Sequence, residues 1–389
     1  MNSRERLLNA LHRQPVDHVP LWLRFWSMNT GIDNFPFPWR DQVVRAENLV
    51  QRGLDDTLLL EPPLGYVENY LADQAPGVES NTEYTPPIRD EKYPHLTKTY
   101  HTPGGDLEQS IKITEDWPHG QELRLFSDFN VSRYIKPMIT SLEDVKRFRY
   151  LLADPSPDQV RRYRQSAQVL RQHAQRLGVA LEGGWTALGD SLVWLLGMEG
   201  VLYGQMDNPI LLESLLDVLL EWELKRLNFL AEEGVDFVTH MAWYEGVDFW
   251  TPRSYRRFLK LRLKSLVEQA HSRGLPVRYI ITKGWKPLRA DLVEIGVDCL
   301  AGVDPVQDNL DLAEVKREIG DRVCLMGGVN SSVMFTQWSE EAIRQAVKDA
   351  FRILAPGGGF ILYPVDQVFS EMEWGKIQVL IDEWGNLTS

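Results

Sequence analysis

One short stretch of the chain, Thr239-His240-Met241-Ala242-Trp243-Tyr244-Glu245, brings together an imidazole, two large aromatic rings and a carboxylate. Histidine changes charge near neutral pH, so His240 is suited to acid–base work or to holding an anion. The competing reading is a buried imidazole satisfied by its neighbours, since buried polar groups normally find partners. Trp243 and Tyr244 either stack on a ligand or pack a rim, and Glu245 adds a polar contact. Arg24 carries a planar donor fork that matches a carboxylate, with a weak surface ion pair as the alternative. Trp26 follows it closely. Glu61 closes an apolar run and leads into Pro62-Pro63-Leu64-Gly65-Tyr66. Burial there would raise its pKa and make it a proton donor, with Tyr66 as a neighbouring aromatic. Lys283 could hold a substrate carboxylate or pair with Asp304. Asn330 lies in Gly327-Gly328-Val329-Asn330, whose glycines serve either a close approach to a ligand or a tight turn.

These residues acquire a common address from the pattern around them. Eight short apolar runs, at 19–23, 57–61, 179–183, 237–243, 277–282, 299–303, 323–327 and 360–364, alternate with stretches of helical spacing. The clearest helices are expected at 210–233, 252–273, 312–319 and 340–354, with Gly234, Gly274 and Gly320 at their ends. Alternation of this kind requires parallel strands joined by right-handed helical crossovers. Eight units predict an α/β fold, a (β/α)8 TIM barrel spanning 1–389 as one domain. A doubly wound open sheet is the competitor, but no Gly-rich phosphate turn follows Leu23. In a barrel the site lies at the C-terminal strand ends, where the residues above fall. The segment 65–178 is too long for one crossover and reads as an insertion. Residues 98–101 and 107–113, joined by Pro103-Gly104-Gly105, predict a β-hairpin, and 141–177 predicts helix. This insertion would act either as a lid or as a cover for the rim.

Composition narrows the classes further. The 389 residues are 43% hydrophobic and carry a net charge of −13, which argues against nucleic-acid or anionic-membrane partners because both need a basic face. Two cysteines, Cys299 and Cys324, exclude a disulfide framework and a four-cysteine zinc site and suit a reducing, cytoplasmic setting. The N-terminal residues predict an amphipathic helix capped by Ser3, with Leu7, Leu8 and Leu11 on one face, rather than a signal peptide.

Several runs resemble one family. Arg4-Glu-Arg-Leu-Leu-Asn-Ala-Leu11 with Pro15-Val-Asp-His-Val-Pro20, Gly320-Asp-Arg-Val-Cys-Leu-Met-Gly-Gly-Val-Asn330 and Ala355-Pro-Gly-Gly-Gly-Phe-Ile-Leu362 are similar, in order and spacing, to the uroporphyrinogen decarboxylase superfamily. Thr251-Pro252, Ile139–Asp144 and Asp311–Lys316 extend the likeness over nearly the whole chain. The resemblance implies a barrel and two chemistries, cofactor-free decarboxylation and zinc-assisted methyl transfer between corrinoid proteins and thiols or methoxylated compounds. It also exposes departures. The decarboxylases carry Arg-Gln-Ala-Gly-Arg-Tyr after the first strand, where this chain has Leu23-Arg24-Phe25-Trp26-Ser27-Met28. The methyltransferases' His-x-Cys and later Cys correspond to Ile281, Lys283 and the glycines around Gly358, which offer zinc no thiolate or imidazole. The decarboxylases' last-strand His is replaced within Pro364-Val365-Asp366-Gln367, with Asp366 in its place.

Together these features predict a cofactor-free, metal-free decarboxylase acting on an anionic, partly aromatic or tetrapyrrole-type small molecule. Glu61, His240 and Asp366 are the expected catalytic groups. Arg24, Trp26, Tyr66, Trp243, Glu245, Lys283, Asp304 and Asn330 are the expected substrate contacts. The alternatives are a corrinoid-dependent methyltransferase component, with His240 and Glu245 forming a different metal site and a corrinoid protein as partner, and a non-catalytic ligand-binding barrel. The family resemblance also implies a homodimer.

Overall fold

The computed structural model describes residues 1–27, 31–63, 75–88, 91–117, 119–126 and 133–388. Its strands are β1 (Phe25–Trp26), β2 (Thr57–Leu60), β3 (Glu79–Thr85), β4 (His95–Thr102), β5 (Gly105–Lys112), β6 (Tyr134–Lys136), β7 (Ala180–Ala187), β8 (Phe237–Met241), β9 (Val277–Ile280), β10 (Cys299–Val303), β11 (Cys324–Asn330), β12 (Phe360–Val365) and β13 (Val368–Phe369). The helices are α1 (Ser3–Leu11), α2 (Gln42–Gln51), α3 (Leu142–Phe148), α4 (Pro157–Leu177), α5 (Gly189–Asp207), α6 (Pro209–Glu232), α7 (Pro252–Tyr255), α8 (Leu261–Ser272), α9 (Arg289–Ile295), α10 (Leu312–Ile319), α11 (Met334–Gln337), α12 (Glu340–Leu354) and α13 (Trp374–Thr388).

Seven strands form a parallel sheet in the order β12-β11-β10-β9-β8-β7-β2. The first apolar run closes it, because Leu21 bridges in parallel to Leu362 of β12 and Trp22 bridges to Asp55 just before β2. With that strand the sheet is a (β/α)8 barrel in sequence order. The predicted strands coincide with the observed ones to within a few residues except at the first, where only Leu21 and Trp22 make barrel bridges. Beyond them β1 turns away to pair with β13.

Helices fall where capping chemistry places them. Asp311, Ser339 and Ser156 each accept backbone N–H bonds at their helix starts, and Gly178 ends α4 at φ 65°, a conformation glycine adopts without steric cost. The helix predicted at 252–273 contains a π-helical turn, Arg256–Lys260, between α7 and α8. At the N-terminus Asn2, not Ser3, is the cap, forming a reciprocal capping box with Glu5. Ser3 is buried instead, and its Oγ accepts the Asp56 N–H. Leu7, Ala10 and Leu11 of α1 pack against inward-facing residues such as Phe237, Cys299 and Cys324, so α1 plugs the N-terminal end of the barrel.

The long segment after β2 contains a four-stranded antiparallel sheet, β3-β4-β5-β6, rather than a lone hairpin. The β4–β5 turn is the one expected at Pro103-Gly104-Gly105. Its last helix, α4, packs on α2, β2 and β7, and is therefore the crossover helix between the second and third barrel strands.

Candidate active site

Inside a strand of the barrel, alternate side chains face the lumen. Phe237 meets the Trp22 ring, so Thr239, two residues on, also points inward. At the same level β2 contributes Thr57, β7 Glu182 and β9 Arg278. The Glu182 carboxylate accepts from Arg278 Nη2 at 2.6 Å, Thr239 Oγ1 at 2.8 Å and Thr57 Oγ1 at 2.9 Å. The Arg278 guanidinium lies 4.2 Å from the Trp22 ring centroid. Burial alone would push Glu182 upward, but the charges of Arg278 and Arg24, with the two hydroxyls, hold it below its usual value. Burial lowers Arg278 to about 10 despite that partner. The barrel floor is thus a buried ion pair.

Above this floor opens a cavity of about 680 Å³, lined by Trp22, Arg24, Phe25 and Trp26 from the first strand and its continuation, Thr57, Leu59, Glu61 and Pro62 from the second, Glu182 from the third and Gln367 beyond the eighth. Arg24, Trp26 and Glu61 are brought together as the sequence predicted. Glu61 stands 3.9 Å from Arg226, a fully buried arginine of α6 that also bonds Glu223 at 2.6 Å. Gly184 makes room for it, since a Cβ there would lie 2.6 Å from Glu61 Oε2 and 3.0 Å from Pro62.

None of the other expected residues that the structure describes lines this cavity, and of them Trp243 packs, partly buried, against the interior cluster of the barrel. His240 alternates with Phe237 and Thr239 and so faces outward, buried between the sheet and helices α6 and α8. Its Nδ1 is 2.8 Å from Thr186 Oγ1, its Nε2 is 3.1 Å from Glu245 Oε1, and its ring stacks on Tyr279. Glu245 also accepts from the Gly189 N–H and the Tyr279 hydroxyl. The chemistry-rich stretch is therefore a bracket between β8 and the start of α5. Asp190 completes the bracket by accepting the backbone N–H groups of Trp243 and Tyr244, each at 3.2 Å. Lys283 does not meet Asp304. It is half exposed and pairs with Asp248 at 3.1 Å, because its backbone turns at Gly284 against Gly246 and Val247.

Asp304 and Asn330 do come together, at 2.7 Å, but both are fully buried and committed. Asp304 accepts from the Val306 and Gln307 N–H groups, and Asn330 from the Val333 N–H, so the pair fixes the loops after β10 and β11. Gly327, at φ 147°, lies against the Val303 backbone, where a Cβ would meet the carbonyl oxygen at 2.4 Å. Beyond β12, Gln367 lines the cavity and Asp366 does not; Asp366 is held by Ser331 and by the Tyr363 hydroxyl, both bonding its backbone. Tyr66 lies outside the described residues.

Sequence reasoning missed Glu182, Arg278, Arg226 and Gln367. Glu182 and Arg278 did carry a signal, a lone charge inside an otherwise apolar strand, while Arg226 was hidden in a long amphipathic helix.

Ile281 and Lys283, which the family resemblance puts where relatives hold zinc, offer no suitable donor, whereas Gly358 precedes β12 beside Arg13 at the opposite barrel end and so does not share a site with them. Cys299 and Cys324 are at that end as well, and burial pushes the Cys324 thiol upward. Among the described residues no three His, Cys, Asp or Glu side chains are grouped to hold a metal ion. Among them, too, no helix is long and apolar enough to cross a membrane.

Comparison with known proteins places this geometry in context. The family model for uroporphyrinogen decarboxylase (URO-D) matches residues 115–386. The chain is 28% identical over 190 residues to a uroporphyrinogen decarboxylase of Thioalkalivibrio sulfidiphilus, covering 48% of this chain and 51% of that one. It is 26% identical over 183 residues to the methylcobamide:CoM methyltransferase MtaA of Methanosarcina barkeri, covering 46% and 51%. These matches span about half the length of the curated relatives. Among solved structures, a methyltransferase from Methanosarcina mazei superposes over 100% of both chains with a TM-score of 0.62 at 18% identity, a likeness of fold.

Proposed function

Because the chain belongs to the uroporphyrinogen decarboxylase family, we propose that it is a carbon–carbon lyase that removes a carboxylate from an electron-rich, partly aromatic small molecule. The observation that carries this reading is the convergence of Arg24 and Glu61 on one cavity at the C-terminal strand ends, above the Glu182–Arg278 floor. Arg24 binds the departing carboxylate through its donor fork. Glu61 delivers a proton to the ring carbon next to the carboxymethyl substituent, and Arg226, 3.9 Å away, stabilises the carboxylate that this leaves. The protonated ring then accepts the electron pair of the breaking C–COO⁻ bond, and CO₂ leaves. A solvent proton adds to the exocyclic carbon, and the ring proton returns to Glu61. The sum is one proton taken up and one CO₂ released. Trp26 and Pro62 give the ring an apolar wall, and Gln367 supplies a neutral polar contact.

His240 has no part in this scheme. With Thr186, Glu245 and Tyr279 it holds the β8–α7 connection. Lys283, Asp304 and Asn330 likewise act on the scaffold rather than on the substrate.

The test is turnover with a panel of pyrrole-acetic and arylacetic acids, measured as CO₂ released. Arg24→Gln should raise KM at least tenfold, and Glu61→Gln should lower kcat by about 10²-fold or more, the usual range for loss of a general acid. Methyl transfer from methylcobalamin without CO₂ release would overturn the reading in favour of the methyltransferase chemistry of relatives such as MtaA.

A further inference from the structure

Among the described residues, the barrel wall is open between its first two strands beyond the Trp22–Asp55 bridge. At Trp22 the first strand bonds Leu362 of β12 and bridges Asp55, and beyond that point it follows β13, with Val368 and Ser370 N–H groups bonding the Arg24 and Trp26 carbonyls. The edge of β2 that this strand would have covered is satisfied by side chains instead. The Gln42 amide takes both polar groups of Leu59, its Oε1 accepting the N–H at 2.6 Å and its Nε2 donating to the carbonyl at 3.2 Å. Arg45 donates to the Thr57 carbonyl at 3.0 Å. A sheet edge inside a protein must have its hydrogen bonds met, and here α2 meets them without a strand. The gap is therefore built in.

The cavity passes through it. Glu182 and Trp22 lie in the lumen, whereas Arg45, Tyr163 and Ser166 belong to α2 and α4 on the outside of β2, and one continuous cavity touches them all. Its outer lobe presents three arginines, Arg40, Arg45 and Arg162, of which Arg40 is paired with Asp33 and Arg45 with Asp56. Four arginines, Arg24, Arg40, Arg45 and Arg162, line the cavity against Asp56, Glu61 and Glu182, in a chain whose net charge is −13. Arg45 is committed to Asp56 and the Thr57 carbonyl. Arg162 is not so constrained, since its partner is Asp158 one turn earlier on α4 and its side chain is 65% exposed. Such a pair exchanges readily for a ligand anion.

We propose that the seam between the first strand and β2 is a second lobe of the binding site, which takes a distal anionic group of an elongated substrate, with Arg162 as its principal contact. The inference rests on the reading above, in which Arg24 holds the reacting carboxylate in the lumen. It adds that the substrate carries two separated negative charges and threads the barrel wall rather than resting wholly over the mouth.

Calorimetric titration of the full chain with 4-biphenylacetate and 4,4′-biphenyldiacetate tests this, since the two differ in one distal carboxylate. The diacetate should bind at least tenfold more tightly. Arg162→Gln should remove that advantage and leave monoacetate affinity within twofold, and Ser166→Phe, which fills the lobe from an exposed helical position, should do the same. Equal affinity of the two probes for the parent protein, or an advantage that survives both substitutions, would overturn the proposal. Arg24→Gln separates the two readings. If it weakens neither probe while the Arg162-dependent advantage persists, the lumen assignment fails and the second lobe stands.

Discussion

Glu182→Gln preserves shape and removes charge at the most heavily bonded point of the barrel floor. In the parent the carboxylate accepts three bonds of 2.6–2.9 Å and is the counter-charge of Arg278, which is fully buried and has no hydrogen-bond partner at Nε or Nη1. Removing one member of a buried ion pair costs ~3–5 kcal/mol, because the remaining charge loses its partner without regaining water. The nearby Arg24 charge works in the same direction. An unfolding entropy of ~2.1 cal/mol/K per residue gives about 0.8 kcal/mol/K for this chain, so the melting temperature should fall by ~4–6 °C. Differential scanning calorimetry reads this directly. The double substitution Glu182→Leu with Arg278→Met replaces the pair by apolar groups and should recover at least half the loss. A single variant within 1 °C of the parent, or a double variant no better than the single, would refute the assignment of the floor as a mutually dependent pair. The acid limb gives a second sign. Glu182 is held below its ordinary 4.5, so its stabilising contribution is complete above that value and is lost as pH falls through the folded value. The parent's melting temperature should therefore drop more steeply below pH 4 than that of Glu182→Gln.

Gly184→Ala should displace Glu61 and Pro62, lowering CO₂ release at least tenfold while the melting temperature moves by ~2 °C or less, since the nearest atom it meets is the end of the Glu61 side chain and the Pro62 ring, at 3.0 Å, need give only slightly. His240→Gln should cost ~1–3 kcal/mol in urea unfolding, because Glu245 and Thr186 lose a buried partner, yet leave biphenylacetate affinity unchanged. Lys283→Ala should change neither stability beyond ~0.5 kcal/mol nor probe affinity, because its ion pair with Asp248 is exposed on both sides.

The barrel was legible because its signal is repeated: β10 and α12 begin and end where their apolar periods do. The first strand was not. Its run of apolar residues has the composition of a full strand, but the Gln42 and Arg45 side chains that replace its hydrogen bonds come from a separate helix and leave no trace in the local pattern. Arg24, Trp26 and Glu61 were expected at the barrel mouth because position at a strand end is itself a functional signal, and they line one cavity there. His240 misled for a related reason. Strand position says how far along the barrel a residue sits, whereas a one-residue change in parity decides whether it faces the lumen or the helices. Lys283 and Asp304 illustrate the remaining limit, since both stand just beyond strand ends and loop turns send their side chains to different partners.

The central claim is that Glu61 donates a proton during carbon–carbon cleavage in this cavity. Single-turnover reaction of a carboxyl-¹³C pyrrole-acetic acid in D₂O measures both halves at once. The account predicts one ¹³CO₂ and one solvent deuteron in the product methyl group per turnover, with the rate reduced ~10²-fold or more in Glu61→Gln and substrate affinity unchanged. Full-rate ¹³CO₂ release by Glu61→Gln, or recovery of a methylated product with its carboxylate intact, would contradict it.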